Sequence, residues 1–154
     1  MSTKSAVLIT VGAVAGLGIA AAIAIPAASE WYENRHDESS TYASGSAAKS
    51  ARPSVPRWLP DTASDVEYAM KTTGGERLLK AKLADAKLPE GCKALEKNKT
   101  AAKPEIEAKW FPKGAESKAA ARCERYYAYT DGTTLYAWQT NADWLEGNRA
   151  GENG

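Results

Sequence analysis

An uncharged apolar run from Ala6 to Ala28 constrains this chain more than any other feature. At a rise of about 1.5 Å per residue, a helix of about 23 residues would cross a hydrocarbon core about 30 Å thick. This length favours a retained anchor, although Lys4 and the small residues after Pro26 also suit a cleaved secretory signal. The sequence therefore predicts a transmembrane helix within residues 1–28, with membrane lipid as a partner.

The charges that flank this run predict its orientation. Lys4 precedes it, and the first basic residue after it is Arg35, which lies among acidic residues. Because excess positive charge is retained in the cytoplasm, the amino terminus should be cytoplasmic and the rest of the chain extracytoplasmic. We therefore expect a single-pass protein of the cell membrane.

Small residues recur within the run at every fourth position, at Gly12, Gly16 and Ala20. Residues spaced in this way lie on one face of a helix, where small side chains let a second helix approach closely. Glycine and alanine are also simply common in this segment. The stripe is the helix-packing site that the sequence offers, and it indicates other membrane-protein subunits as partners.

The charge of the remaining chain limits its other partners. Lys4 is the only charged residue before Glu30, so 19 of the 20 basic residues and all 19 acidic residues follow the run. The formal net charge of the chain after the run is therefore zero. A nucleic-acid partner requires a basic field, and so does a polybasic lipid-binding surface. Neutrality argues against both.

Composition divides the extracytoplasmic part into three segments. Residues 29–52 are rich in Ser, Ala, Glu and Thr without a hydrophobic period, which indicates a flexible tether. Residues 53–140 contain alternating segments and should form the domain, and residues 141–154 should fray. The predicted fold class is α+β: one transmembrane helix, a tether and a small disulfide-stapled, antiparallel β-rich domain.

Alternating side chains predict the strands of this domain. Residues 66–72 and 77–83 alternate around a Gly-Gly turn, and residues 105–110 alternate again. Trp58 and Trp110 lie beside prolines at the edges of such segments, and we expect both to be buried in the core.

The clearest hairpin joins residues 125–130 to residues 133–140 through Asp131-Gly132, a favoured two-residue turn. This register pairs Tyr127 with Tyr136. It also predicts an aromatic face that Cys123 shares, and the aromatic members of this face are Tyr127, Tyr129, Tyr136 and Trp138. Such a face could bind sugars or peptides, or it could be the core of a domain that is short of aliphatic side chains.

Cys92 and Cys123 are the two cysteines of the chain, and both lie in the exported part. An even number of cysteines in an oxidising compartment predicts a disulfide bond, which a small domain needs for stability. A redox pair is the alternative, but that chemistry usually uses a Cys-x-x-Cys motif. We expect a structural bond.

The residues do not supply a recognisable catalytic, cofactor or metal site. His36 is the single histidine and lies in the predicted tether, so neither a Ser-His-Asp set nor a histidine metal site can be built. Convergent carboxylates would be the remaining enzymatic option, and the candidates are Asp61, Asp65, Glu67, Glu105 and Glu107. We expect no enzyme activity and no cofactor.

Short motifs support one family resemblance. RWLP at residues 57–60, LPEGC at 88–92, AKWFP at 108–112, Cys123 and YAW at 136–138 resemble small single-span envelope proteins of high-GC Gram-positive bacteria. The resemblance implies fold and location but no active site. Two functions follow as expectations: a non-catalytic accessory subunit or interaction protein of a larger membrane complex, or an envelope module that binds cell-wall sugar or peptide through the aromatic face.

Overall fold

The computed structural model describes residues 37–152. The predicted membrane span, its packing stripe Gly12, Gly16 and Ala20, and His36 all lie outside these residues. Within them, neither helix is both long and apolar enough to cross a membrane.

A seven-stranded antiparallel sheet forms the centre of the domain, in the order β1-β2-β3-β7-β6-β5-β4. Helix α1 follows β1, and helix α2 follows β7. The strands are β1 (Asp37–Ser44), β2 (Ser64–Lys71), β3 (Arg77–Lys82), β4 (Cys92–Ala94), β5 (Ala121–Cys123), β6 (Tyr126–Asp131) and β7 (Thr134–Gln139), and the helices are α1 (Gly45–Ala51) and α2 (Asn141–Glu152). The predicted disulfide-stapled, antiparallel β-rich domain is confirmed.

The structure corrects the extent of the predicted tether. Residues 37–51, which the sequence assigned to a flexible segment, form β1 and α1. Strand β1 is an edge strand that pairs with β2 along its length, so main-chain hydrogen bonds hold it without a hydrophobic period. Ser44 caps α1 by accepting a hydrogen bond from the Ala47 amide at 3.1 Å, and Ala48 of α1 is fully buried.

One face of the sheet, here called the aliphatic face, packs against residues 45–63. Its strands contribute Val66, Leu79 and Leu135, and the covering segment contributes Leu59 and Ala48. Leu59 and the strand residues are all fully buried. Trp58 lies against Tyr126 with ring centroids 5.5 Å apart, but it is only partly buried.

The β6–β7 hairpin forms in a different register from the predicted one. Asp131 pairs with Thr134, so the turn residues are Gly132 and Thr133. Gly132 has a φ of 60° and Thr133 is not among the positive-φ residues, which matches a turn with glycine at its first central position. The shift pairs Tyr127 with Trp138 and Tyr129 with Tyr136, yet these four side chains still share one face.

Cys123 lies on the opposite face from the one predicted. The chain turns at Glu124, whose φ is 55°, and Cys123 pairs with Tyr126 rather than continuing the strand of Tyr127. Both Cys123 and Tyr126 belong to the core on the aliphatic face. The turn at Glu124 interrupts the alternation of side chains, which cannot be detected from the sequence pattern. It therefore places Cys123 on the aliphatic face instead of the predicted aromatic face.

Residues 141–154 were expected to fray, but α2 occupies residues 141–152. Thr140 and Asp143 form a reciprocal cap: the Asp143 amide donates to Thr140 Oγ1 at 3.2 Å, and that hydroxyl donates to Asp143 Oδ2 at 2.7 Å. Trp144 packs directly against Gly75, where a Cβ atom would collide with it. The cap and the contact of Trp144 with Gly75 therefore stabilise α2, although its sequence has too few apolar residues to form an apolar helix face.

The predicted strand at residues 105–110 is wrong, because these residues are irregular. Ile106 and Phe111 are buried, and Trp110 is partly buried. The expectation that Trp58 and Trp110 are core residues is therefore met only in part, and the fully buried tryptophan among residues 37–152 is Trp138.

Candidate functional site

The aromatic face of the sheet is covered by a long irregular segment of the same chain. We call residues 95–120, which connect β4 to β5, the covering loop. Its Ala101, Ile106, Phe111 and Ala115 are buried against the aromatic side chains of β6 and β7. The face that the sequence offered as a binding platform is therefore largely the core of a second layer.

The aromatic rings beneath this loop form a packed cluster. Trp138 is fully buried and its Nε1 donates to the carbonyl of Ala102 at 2.8 Å. Phe111 meets Tyr136 and Trp138 edge to face, at centroid separations of 5.8 and 6.1 Å. Tyr129 stacks on Tyr136 at 5.2 Å. Such contacts are typical of a specific apolar core.

Two of the four rings remain partly accessible. Tyr127 and Tyr136 are half-buried, whereas Tyr129 is only 4% exposed. The guanidinium of Arg122 lies over the Tyr127 ring, 4.1 Å from its centroid, and Nη2 of Arg122 contacts Asp143 Oδ1 at 3.2 Å. The accessible part of the aromatic face is thus a narrow margin whose Tyr127 ring already stacks with an arginine.

The disulfide bond closes the base of the covering loop. Cys92 and Cys123 are directly opposed on β4 and β5, and their bond confirms the predicted pairing. Beyond the bond, Ala94 pairs with Ala121, and the Leu95 amide donates to the Ala120 carbonyl at 2.9 Å. Both ends of the loop are therefore held at one point beside the sheet.

Burial under the loop changes the acidity of one phenol. Desolvation, together with the neighbouring Tyr136 and Asp131, raises the pKa of Tyr129 to about 12. Its hydroxyl is buried and makes no hydrogen bond to the described residues. A neutral, unpartnered phenol of this kind is suited to packing and not to proton transfer at neutral pH.

A groove of about 570 Å³ lies beyond the loop, at the end of the sheet that carries Thr41 and Thr134. Two of the candidate carboxylates line it, and each faces a lysine: Glu67 lies 3.6 Å from Lys80, and Asp65 lies 3.9 Å from Lys82. These are ion pairs and not a pair of carboxylates that could share acid and base roles.

The other candidate carboxylates do not join this groove. Glu105 accepts a hydrogen bond from the Asn141 amide at 3.0 Å, and Asp61 pairs with Lys49. Among residues 37–152, no group of three or more His, Cys, Asp or Glu side chains is placed to hold a metal ion.

Sequence reasoning found the four aromatic residues but missed the layer that covers them. The apolar residues of AKWFP at 108–112 indicated a buried segment, and Phe111 of this motif is part of the covering layer. We assigned the apolar residues of this segment to a strand of the sheet instead. The positions of the cysteines also indicated the bounds of this segment, because the whole covering loop lies between Cys92 and Cys123 in the sequence.

Comparison with known proteins adds no assignment. The chain matches no protein-family model, no curated protein and no solved structure at a significant level. The envelope-protein resemblance therefore stays an expectation.

Proposed function

We propose that this chain is a non-catalytic, membrane-anchored accessory subunit or interaction protein of a larger bacterial membrane complex. Residues 6–28 would hold it in the membrane, and the domain of residues 37–152 would dock outside it. The observation that carries this proposal is the covering loop. The loop occupies the aromatic face, and the Trp138 indole is already hydrogen-bonded to Ala102.

The covering loop weakens the alternative of a wall-binding module. A sugar platform presents aromatic ring faces to solvent, but Trp138 is fully buried and Tyr129 nearly so. What favours that alternative is the half-buried pair Tyr127 and Tyr136 at the margin of the loop. Pull-down of the full chain by purified cell wall, lost in a Tyr127→Ala variant that melts normally, would support it.

The disulfide supports placement of the domain in an oxidising compartment. Cys123 is fully buried and its bond to Cys92 joins adjacent strands of the sheet. Such bonds persist in exported domains and are rare in the cytosol. This fits an amino terminus in the cytoplasm and a domain outside.

Native purification tests the proposal most directly. The full chain would be purified from its own membranes in mild detergent, and we expect a defined complex to accompany it. Gly16→Leu places a branched side chain on the predicted packing stripe, where two helix backbones should nearly touch. Because leucine also favours insertion, the variant should lose its partners while its membrane level is unchanged.

Gly18→Leu is the matched control, because residue 18 lies on the opposite side of a helix from residue 16. It adds the same side chain and should leave the complex intact. Partners that stay bound to Gly16→Leu, or a mature protein that begins near Ser29 and is free of the membrane, would overturn the accessory-subunit proposal.

A further inference from the structure

The fold separates charges that balance in the sequence. Residues 37–152 contain 18 basic and 17 acidic side chains. Strand register places Lys71, Lys80 and Lys82 on the aromatic side of the sheet, the side on which the covering loop packs. We call this side, loop and strand residues together, the basic layer.

The basic layer carries 11 basic and 8 acidic side chains, whereas the rest of residues 37–152 carries 7 and 9. Its basic members are Lys71, Lys80, Lys82, Lys93, Lys97, Lys99, Lys103, Lys109, Lys113, Lys118 and Arg122, and its acidic members are Asp37, Asp65, Glu67, Glu96, Glu105, Glu107, Glu116 and Asp131. Arg122 is also paired with Asp143 of α2. One side of a nearly neutral domain is therefore positive and the remainder is negative.

The lysines of the covering loop are free to bind. All six are exposed, because the loop turns its apolar side chains toward the sheet. Lys99 lies 3.7 Å from Glu96, and the other five make no ion pair with the described residues. Lys109 and Lys113 flank the partly buried Trp110, and a tryptophan among lysines is typical of surfaces at the headgroup level of a membrane.

The chain enters the domain beside this layer. Trp110 Nε1 donates to Ser39 Oγ at 3.3 Å, so the covering loop contacts β1 two residues after the first described residue, Asp37. Between the predicted span and Asp37 the sequence leaves about eight residues, which reach at most about 28 Å when fully extended. This is shorter than the 24-residue tether predicted at residues 29–52, because β1 begins at Asp37. With residues 6–28 as the anchor, β1 would begin within this distance of the membrane surface.

We infer that the basic layer is the membrane-facing surface of the domain and that it binds anionic lipid headgroups. The inference deepens the proposed function, and it depends on the anchor: the span would hold the chain in the bilayer, and the lysines would orient the domain by contacting headgroup phosphates. Lysines near an anionic surface are attracted individually and weakly, so several together are needed to fix an orientation. The negative remainder of the domain would then face away from the bilayer, toward partner subunits.

Hydrogen exchange of the full chain in lipid nanodiscs tests this inference. Discs of phosphatidylcholine would be compared with discs of an equal mixture of phosphatidylcholine and phosphatidylglycerol. We expect the amides of residues 96–119 to exchange more slowly in the anionic discs than in the neutral discs, by a factor of about five or more. High salt should remove the difference, and residues 45–63, on the opposite face, should show none.

A pair of matched variants separates charge from folding. Lys103→Gln, Lys109→Gln and Lys113→Gln, combined, remove three exposed charges of the covering loop and should abolish the lipid-dependent protection. Arg57→Gln, Lys87→Gln and Arg149→Gln, combined, remove three exposed charges from the remainder and should retain it. Equal exchange in the two kinds of disc, or equal loss in the two triple variants, would overturn the inference.

The failure of the anchor can be told apart from the failure of the orientation. Flotation with neutral phosphatidylcholine vesicles at high salt reports the span alone. A chain that does not float has no anchor, and this inference then falls with the proposed function. A chain that floats without lipid-dependent protection refutes only the orientation, and protection by soluble polyphosphate but not by anionic discs would assign the basic layer to a polymeric anion.

Discussion

Cys92 and Cys123 face each other across the β4–β5 ladder, at the base of the loop that covers the aromatic face. Strand β4 has three residues and pairs only with β5. The disulfide therefore supports a weak edge of the sheet, and through it the attachment of the covering loop.

Removal of the disulfide should destabilise the domain. The bond joins residues separated by 31 positions, and the chain-entropy account gives up to about 3.7 kcal/mol for a loop of this size. A Cys92→Ala, Cys123→Ala double variant should lower the denaturant midpoint accordingly, with reduced wild type as the comparison. Free thiols titrated by alkylation in the unreduced, unfolded protein would show that the bond is absent.

The tryptophans should differ in their contribution to stability. Trp138→Ala empties a fully buried site and should cost about 3–5 kcal/mol of unfolding free energy. Trp110→Ala removes a half-buried ring and should cost about 1–2 kcal/mol. Urea unfolding of both variants checks the order, and a Trp110 variant as unstable as the Trp138 variant would contradict the layered core.

Much of the sheet could be predicted from the sequence because its strands have clear alternation. Residues 66–72 and 77–83 were predicted as strands and are found as β2 and β3 within a residue or two. Strand β1 could not be predicted in this way, because an edge strand of Ser, Thr and acidic residues is held mainly by its main-chain pairing with β2. Its only large apolar side chain is Tyr42, which is half-buried.

The candidate site was harder to predict than the sheet. Alternation placed Tyr127, Tyr129, Tyr136 and Trp138 on one face even though the predicted register was wrong, because a shift of two residues preserves the face. The covering loop has no period, and only tertiary packing of Phe111 and Ile106 reveals it. The net charge of the whole domain also does not show how its charges are divided between the two sides of the sheet.

The β6–β7 turn requires glycine at its first position. Gly132 has a φ of 60°, where a Cβ atom is strained, so Gly132→Ala should lower the unfolding free energy by about 1 kcal/mol. Thr133→Ala, at the neighbouring turn position, is the control and should change stability less. Thermal or urea unfolding measures both, and equal stability of the Gly132 variant and wild type would contradict the observed turn.

Alkaline pH should destabilise the covered face. Desolvation raises the pKa of folded Tyr129 to about 12, above its ordinary value of 10.0. The neutral phenol is therefore favoured by folding: this contribution to stability is complete below pH 10 and is lost as the pH rises toward 12. Tyr129→Phe should remove its part of this alkaline loss, and because the phenol makes no hydrogen bond to the described residues, it should cost little at neutral pH.

The exchange rate of the Trp138 indole proton is the most direct test of the account, since the proposed function depends on a covered aromatic face. This proton is donated to the Ala102 carbonyl at 2.8 Å beneath the covering loop. In the oxidised full chain, two-dimensional NMR should show the Trp138 indole exchanging as slowly as core strand amides, with no change when soluble cell-wall fragments are added. Exchange as fast as that of an exposed indole, or a shift of this resonance on binding wall fragments, would mean that the aromatic face is open and would contradict the account.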